Sequence, residues 1–185
     1  MEDNGIYTDP RHTACFTGHR PEKIPFDTGV KFFREALESV LYLHAMEAAE
    51  QGYDTFLCGM QRGIDVWAGN QILRLKEKMP NLRLICVSPF SGERESRQPR
   101  DRFDYDRLVD ACDGYIVLQK SYDKGCFAKR NRFMVERSSL IIGAVADRRS
   151  GTGQTLRYAK SLGLKADEID LRAFGEQYGF SRADR

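Results

Sequence analysis

The chain has 185 residues, 41% of them hydrophobic and 30% charged, with 29 Lys+Arg against 27 Asp+Glu and a net charge of +2. That length accommodates one domain with a substantial core, and the composition excludes a disordered chain. The near balance of charge supplies no general attraction for nucleic acid or membrane, so neither is an expected partner.

The amino terminus, MEDNGIYTDPRH, is polar and carries no apolar signal region, and no stretch is long enough to span a bilayer. A cytoplasmic location is the expectation. The five cysteines, Cys15, Cys58, Cys86, Cys112 and Cys126, form no CxxC pair. Cys15, Cys58 and Cys86 lie in or beside apolar runs, where cysteine acts as a small buried hydrophobe. Neither a disulfide framework nor a structural zinc site fits that pattern.

In chain order, Thr13 to Thr17 (TACFT) reads as a strand that stops at Gly18. Val30, Phe33, Leu37, Val40, Leu41, Ala45 and Ala48 then recur at three- and four-residue spacing. They predict a long amphipathic helix from Val30 to Glu50, with Gly52 as its stop signal. Thr55 to Cys58 is a second strand ending at Gly59, and Asp65 to Lys78 a helix closed by Pro80. Leu82 to Val87 is a third strand, ending at Ser88-Pro89. Beyond a polar loop come a helix from Asp101 to Cys112, a fourth strand from Tyr115 to Leu118 and a short helix from Ala128 to Arg137. Leu140 to Val145 is the fifth strand, followed by a glycine-rich turn and a helix from about Gln154 to Leu162. Leu164 to Asp170, of mixed polarity, reads as a final edge strand.

Strands that are apolar throughout and alternate with helices predict an α/β fold. It is three-layered and Rossmann-like, a mostly parallel sheet with helices on both faces. The expected division is a polar N-terminal segment over residues 1–12, one domain over 13–172 and a surface tail over 173–185.

In such sheets ligands gather at the carboxyl ends of the strands, and the unusual residues fall there. The first strand leads into Thr17-Gly18-His19-Arg20-Pro21, where glycine admits a phosphate and Arg20 matches its charge, or where a tight turn simply exposes an arginine. The second leads into Gly59-Met60-Gln61-Arg62-Gly63-Ile64-Asp65. Glycines four apart before a helix start suit an anion. The loop lacks the Walker lysine and the GxGxxG spacing. Asp65 either caps the helix or bonds ribose hydroxyls or a water. The fifth strand leads into Ser150-Gly151-Thr152-Gly153-Gln154-Thr155, a phosphate cradle or a flexible turn.

Lys129-Arg130-Asn131-Arg132 opens a helix, and Asn131 could contact a base or sugar. The run holding Arg94, Arg97, Arg100 and Arg102 is interspersed with acids and reads as a solvated loop. Trp67 and Met134 are spaced as helix core residues, His44 falls on the first helix, and His12 has no evident partner. No GxSxG elbow, HExxH or Cys–His pair is present.

The segments TGHRP, GMQRGIDVWA, NRFMVERS and SGTGQT, in this order, resemble the YpsA-like family of the SLOG superfamily. That superfamily shares a Rossmann-like domain with the DprA proteins and the "lonely guy" phosphoribohydrolases. The resemblance runs from about Thr13 to Asp170 and implies a site for a nucleotide or a derivative such as ADP-ribose or NAD. By resemblance the ligand-binding residues are Gly18, Arg20, Gly59, Gly63, Asp65, Asn131, Gly151, Thr152 and Thr155, and His19 and Gly153 of the same loops complete the candidate set. It also implies a homodimer. The phosphoribohydrolases carry Pro-Gly-Gly-x-Gly-Thr-x-x-Glu with a catalytic glutamate. The turn here has neither the Pro-Gly-Gly nor the glutamate, which argues against cleavage by that route.

The leading expectation is a sensor or adaptor domain for a nucleotide-derived ligand, with no metal and no other cofactor identified. The alternative is an N-glycosidase-type hydrolase with Asp65 as its catalytic carboxylate. Single-stranded DNA binding ranks last, because the sequence shows no concentrated basic and aromatic surface.

Overall fold

The computed structural model describes Ile6 and residues 8–178. Within them, β1 (Thr13–Gly18), β2 (Thr55–Cys58), β3 (Arg83–Ser88), β4 (Gly114–Val117), β5 (Leu140–Val145) and β6 (Lys165–Asp170) form one sheet. Its order is β4-β3-β2-β1-β5-β6, and every neighbouring pair is parallel. Six helices accompany it: α1 (Lys31–Glu50), α2 (Ile64–Lys76), α3 (Pro99–Ala111), α4 (Cys126–Glu136), α5 (Gly151–Ser161) and α6 (Leu171–Gln177). The expected α/β Rossmann-like architecture is the observed one.

Parallel strands need crossover helices, and those helices must bury an apolar face on the sheet. Successive strand residues point to opposite faces, so each strand feeds two cores. Ala14 and Phe16 of β1 join the core beneath α1, α2, α3 and α6, with Leu37, Ile72, Leu108 and Phe174. Cys15 points the other way, to the core formed with Met134 and Val135 of α4 and Leu156 and Ala159 of α5. Phe16 and Phe56 stack across β1 and β2 with centroids 5.9 Å apart. Burying each such side chain contributes about 1.5–3 kcal/mol.

The long amphipathic helix buries Leu37, Leu41, Ala45 and Ala48. Val30, expected on its apolar face, lies before the first turn and is 42% exposed. Gly52 ends the helix at φ +95°, with Gly52 N donating to Ala49 O and Tyr53 N to Ala48 O. That left-handed Schellman stop is one glycine adopts without a Cβ penalty. At the other end of the chain the expectation of a tail from residue 173 is corrected. Asp170 caps α6 by accepting from Arg172 N and Ala173 N, and Leu171 and Phe174 are buried. The rest of that segment, 179–185, lies outside the described residues.

The topology positions the site. From β1 the chain builds outward through β2, β3 and β4, then α4 carries it back across the opposite face to β5. The β1 and β5 loops therefore leave the sheet in different directions, and a crevice opens between them at the strand carboxyl ends. Among the described residues, no helix is long and apolar enough to cross a membrane.

Candidate functional site

That crevice holds a cavity of about 310 Å³. Its walls come from four places: the loop after β1, the β2–α2 turn, one face of α4 and the first turn of α5.

The α5 wall is the capped start of a helix. Ser150 caps the helix, its Oγ accepting from Gly153 N at 3.2 Å. Gly151 and Thr152 line the cavity, and first-turn amides of a helix have no intrahelical acceptor. The helix thus begins at Gly151, three residues before the expected Gln154, and the glycines are its first turn rather than a loose loop. Gly153 does not line the cavity; a Cβ there would overlap the Arg148 carbonyl. Thr155 also stands behind the wall. It accepts from Asn131 Nδ2 at 3.0 Å and donates to Gly151 O at 2.9 Å, tying α4 to α5.

From the β1 loop come Gly18, His19, Arg20 and Lys23. His19 is 2% exposed, and its Nε2 accepts from Asp147 N at 3.1 Å. Nδ1 therefore carries the proton, directed at Thr152 Oγ1 3.4 Å away. Burial, reinforced by nearby Lys23, lowers its pKa and favours this neutral form. His19 is a strut between the two loops. Arg20 is exposed, and its side chain makes no ion pair among the described residues.

The β2–α2 turn contributes Gln61 and Asp65. Met60 precedes them with φ +57°, a left-handed conformation that costs a non-glycine residue about 1–3 kcal/mol and collects at functional turns. Gly63, at φ +96°, is the helix N-cap, and a Cβ there would stand 2.7 Å from His19 O. Gly18 likewise admits Ile64 at the start of α2. Of the expected glycines, Gly59 and Gly63 do not line the cavity: they let protein atoms approach one another.

Asp65 sits in the first turn of α2, 6% exposed, and is not the cap. Its Oδ2 lies 3.4 Å from both Gln61 N and Arg130 Nη1. Burial raises its pKa against the opposing pull of Arg130. Arg130 is itself 3% exposed, lines the cavity, and has a buried Nε with no hydrogen-bond partner among the described residues. A Cβ at Gly59 would overlap its guanidinium, so that glycine makes room for the arginine.

Sequence reasoning points to Asn131 and misses Arg130 beside it. Phe127, Arg130 and Asn131 fall at i, i+3 and i+4 and all line the cavity; that one-face spacing is the signal that could have found them. Phe127 also meets Phe90 edge-on at 6.5 Å, and Phe90 meets Tyr122 at 5.6 Å. Folding thus assembles an aromatic cluster of Phe90, Tyr122 and Phe127 that reaches the cavity wall at Phe127.

The acidic and basic run after β3, expected as a solvated loop, is solvated only in part. Glu93 is 1% exposed and pairs with Arg97 at 2.6 Å, whose guanidinium lies 4.4 Å from the centre of the Tyr105 ring. His12, left without a partner in the sequence, lies 2.9 Å from Gly52 O through Nδ1. His44 pairs with Asp167 at 2.7 Å.

Comparison with known proteins adds to this geometry. A UPF0398 protein of Halalkalibacterium halodurans is 24% identical over 116 residues, 62% of this chain and 59% of that protein. Another, from Bacillus cereus strain B4264, is 20% identical over 156 residues, 83% of each. Among solved structures, DNA processing protein A (DprA) of Helicobacter pylori, studied for its single-stranded DNA binding mode, superimposes with TM-score 0.58 and 19% identity. The match covers 92% of this chain and 74% of that one. DprA of Streptococcus pneumoniae gives TM-score 0.59 and 20% identity, covering 92% of this chain and 57% of that one.

The DprA neighbours correct one expectation. Near-neutral charge predicts no nucleic-acid partner, yet this fold serves a single-stranded DNA-binding protein. Net charge averages over the surface and says nothing of the local field in a crevice. The model of the YspA SLOG family, YpsA, matches residues 14–168, and the chain belongs to that family.

Proposed function

We propose that the cavity between the β1 and β5 loops binds a phosphorylated, nucleotide-derived ligand, and that the protein acts in the cytoplasm as a sensor or adaptor for it. The observation that carries this reading is Arg130, a buried guanidinium with an unpartnered Nε in the wall of a cavity that also meets the first turn of α5. A buried guanidinium that is only partly paired is costly, and a phosphate in the cavity that Arg130 lines supplies the complementary charge. Helix amides, Arg20 and Lys23 complement the same charge. The volume suits a small ligand, and Phe127 offers a ring for a base.

Calorimetry and thermal shift with nucleotides, ADP-ribose and NAD test this. A ligand at 100 times its Kd stabilises the fold by about 2.7 kcal/mol. The double variant Arg20→Ala/Lys23→Ala, which removes exposed cations, is expected to bind about tenfold or more weakly at unchanged melting temperature. No shift with any probe, or equal binding by the variant, overturns the reading. Product analysis accompanies each hit, since cleavage would make Asp65 a catalytic residue.

A second reading follows from the neighbours and the aromatic cluster. The cavity holds one nucleotide of a single strand, whose flanking bases stack on Phe127 in the wall and on the exposed Tyr122. A labelled oligonucleotide would then outcompete mononucleotides, with affinity falling as salt rises.

A further inference from the structure

Beneath the loop that follows β3, three donors converge on one carboxylate. Gln61 Nε2 (2.8 Å) and Arg97 Nη2 (2.6 Å) donate to Glu93 Oε1, and Ser88 Oγ (2.8 Å) donates to Oε2. Glu93 makes no opening into the cavity, but Gln61 lines it. A primary amide has two distinct ends, one donating and one accepting. Facing a carboxylate paired with arginine, Gln61 can present only its NH₂, because a flipped amide would set oxygen against oxygen. Its carbonyl oxygen meets no donor among the described residues. Asp65 stands beside it, bonded to Gln61 N.

The cavity therefore has two chemistries. Donors gather at the α5 first turn and at Arg20 and Lys23, while Gln61 and Asp65 add acceptors.

We infer that Glu93 is a positioning residue that fixes the Gln61 amide with its carbonyl oxygen as the acceptor offered to the ligand. The ligand class is then a phosphorylated sugar or nucleoside with a hydroxyl or amino group that donates to Gln61. This rests on the phosphate-ligand reading of the cavity. Neither Glu93 nor Arg97 touches the ligand; they act through the amide.

The test has a ligand-free arm and a ligand arm. In isotopically labelled wild-type protein, the Gln61 side-chain NH₂ is expected to exchange slowly with water and to show Overhauser contacts to Glu93. In calorimetry, the probes are ribose 5-phosphate and inorganic phosphate, and the readout is the ratio of their affinities. Glu93→Gln is expected to lower that ratio about tenfold while phosphate affinity stays unchanged, the loss expected for one misoriented hydrogen bond. A merely structural role would weaken both probes together. Gln61→Leu, which leaves the buried Glu93–Arg97 pair in place, is expected to lower the ratio equally and covers the case where Glu93→Gln fails to fold. An unprotected Gln61 amide, or a ratio unchanged in the folded variants, overturns the inference. A protected amide with no probe bound supports the positioning by Glu93 and sinks the phosphate-ligand reading instead.

Discussion

A guanidinium 3% exposed has surrendered most of its hydration, and Arg130 recovers only part of it from Asp65 at 3.4 Å. Its place in the wall depends on a residue that never reaches the cavity. A Cβ at Gly59 would overlap the guanidinium and stand 2.8 Å from Asp65 Oδ2. Gly59→Ala is therefore expected to cost about 1–3 kcal/mol by overpacking and to abolish ligand binding. Urea unfolding and calorimetry check this; wild-type stability with intact binding would show that the arginine moves aside freely. Arg130→Lys keeps the charge but not the planar fork, and is expected to weaken binding about tenfold.

At the scale of elements, two glycines two residues apart in the first turn of α5 have opposite sensitivities. Nothing lies within 4 Å of a Cβ at Gly151, whereas one at Gly153 would strike the Arg148 carbonyl. Gly153→Ala is expected to lower stability by about 1–3 kcal/mol, because backbone must shift. Gly151→Ala should fold as well as wild type, or better by about 0.4–1 kcal/mol, yet, on the proposed reading, bind ligand less well because it narrows the cavity. Equal melting of the two variants would refute the contrast. A second element-level contact joins α1 to edge strand β6. His44 Nδ1 lies 2.7 Å from Asp167 Oδ2, and that hydrogen bond raises the histidine pKa above 6.5. The pair's stabilisation is fully present below the unfolded value and is lost as pH rises through the higher folded one. His44→Asn should thus cost about 0.5–1 kcal/mol at pH 6 and little at pH 9, in paired denaturation curves.

At the scale of the whole molecule, the two cores lie on opposite faces of one sheet, and β1, the strand between β2 and β5, feeds both. Neither face can empty without exposing the other side of the same strands. Leu41→Ala beneath α1 and Leu156→Ala beneath α5 are each expected to cost about 2–5 kcal/mol. Both should shift one common urea transition without splitting it, with a slope like that of wild type. Two transitions would mean that the faces unfold independently. The same topology sets the site: because β5 returns to the opposite flank of β1, the two loops part and leave the crevice.

What the sequence by itself determined follows from local and periodic forces. Strand residues such as Thr55 to Cys58 and Leu140 to Val145 are apolar on both faces, which demands a covered parallel sheet. The four-residue rhythm of Leu37, Leu41 and Ala45 demands a helix on one side of it. The glycine-bearing ends of β1, β2 and β5 marked the region of the cavity for the same local reason, since chain reversals and helix starts are written in neighbouring residues. Tertiary structure alone decided which side chains face the cavity. Gly59 and Gly63 serve packing because another segment lies against them. Arg130, Glu93 and Phe127 acquired their roles from segments distant in the chain, as Arg130 does from Asp65, 65 residues away. Burial and ion pairing between distant segments leave no periodic trace in a sequence, because they depend on where the sheet brings the loops together.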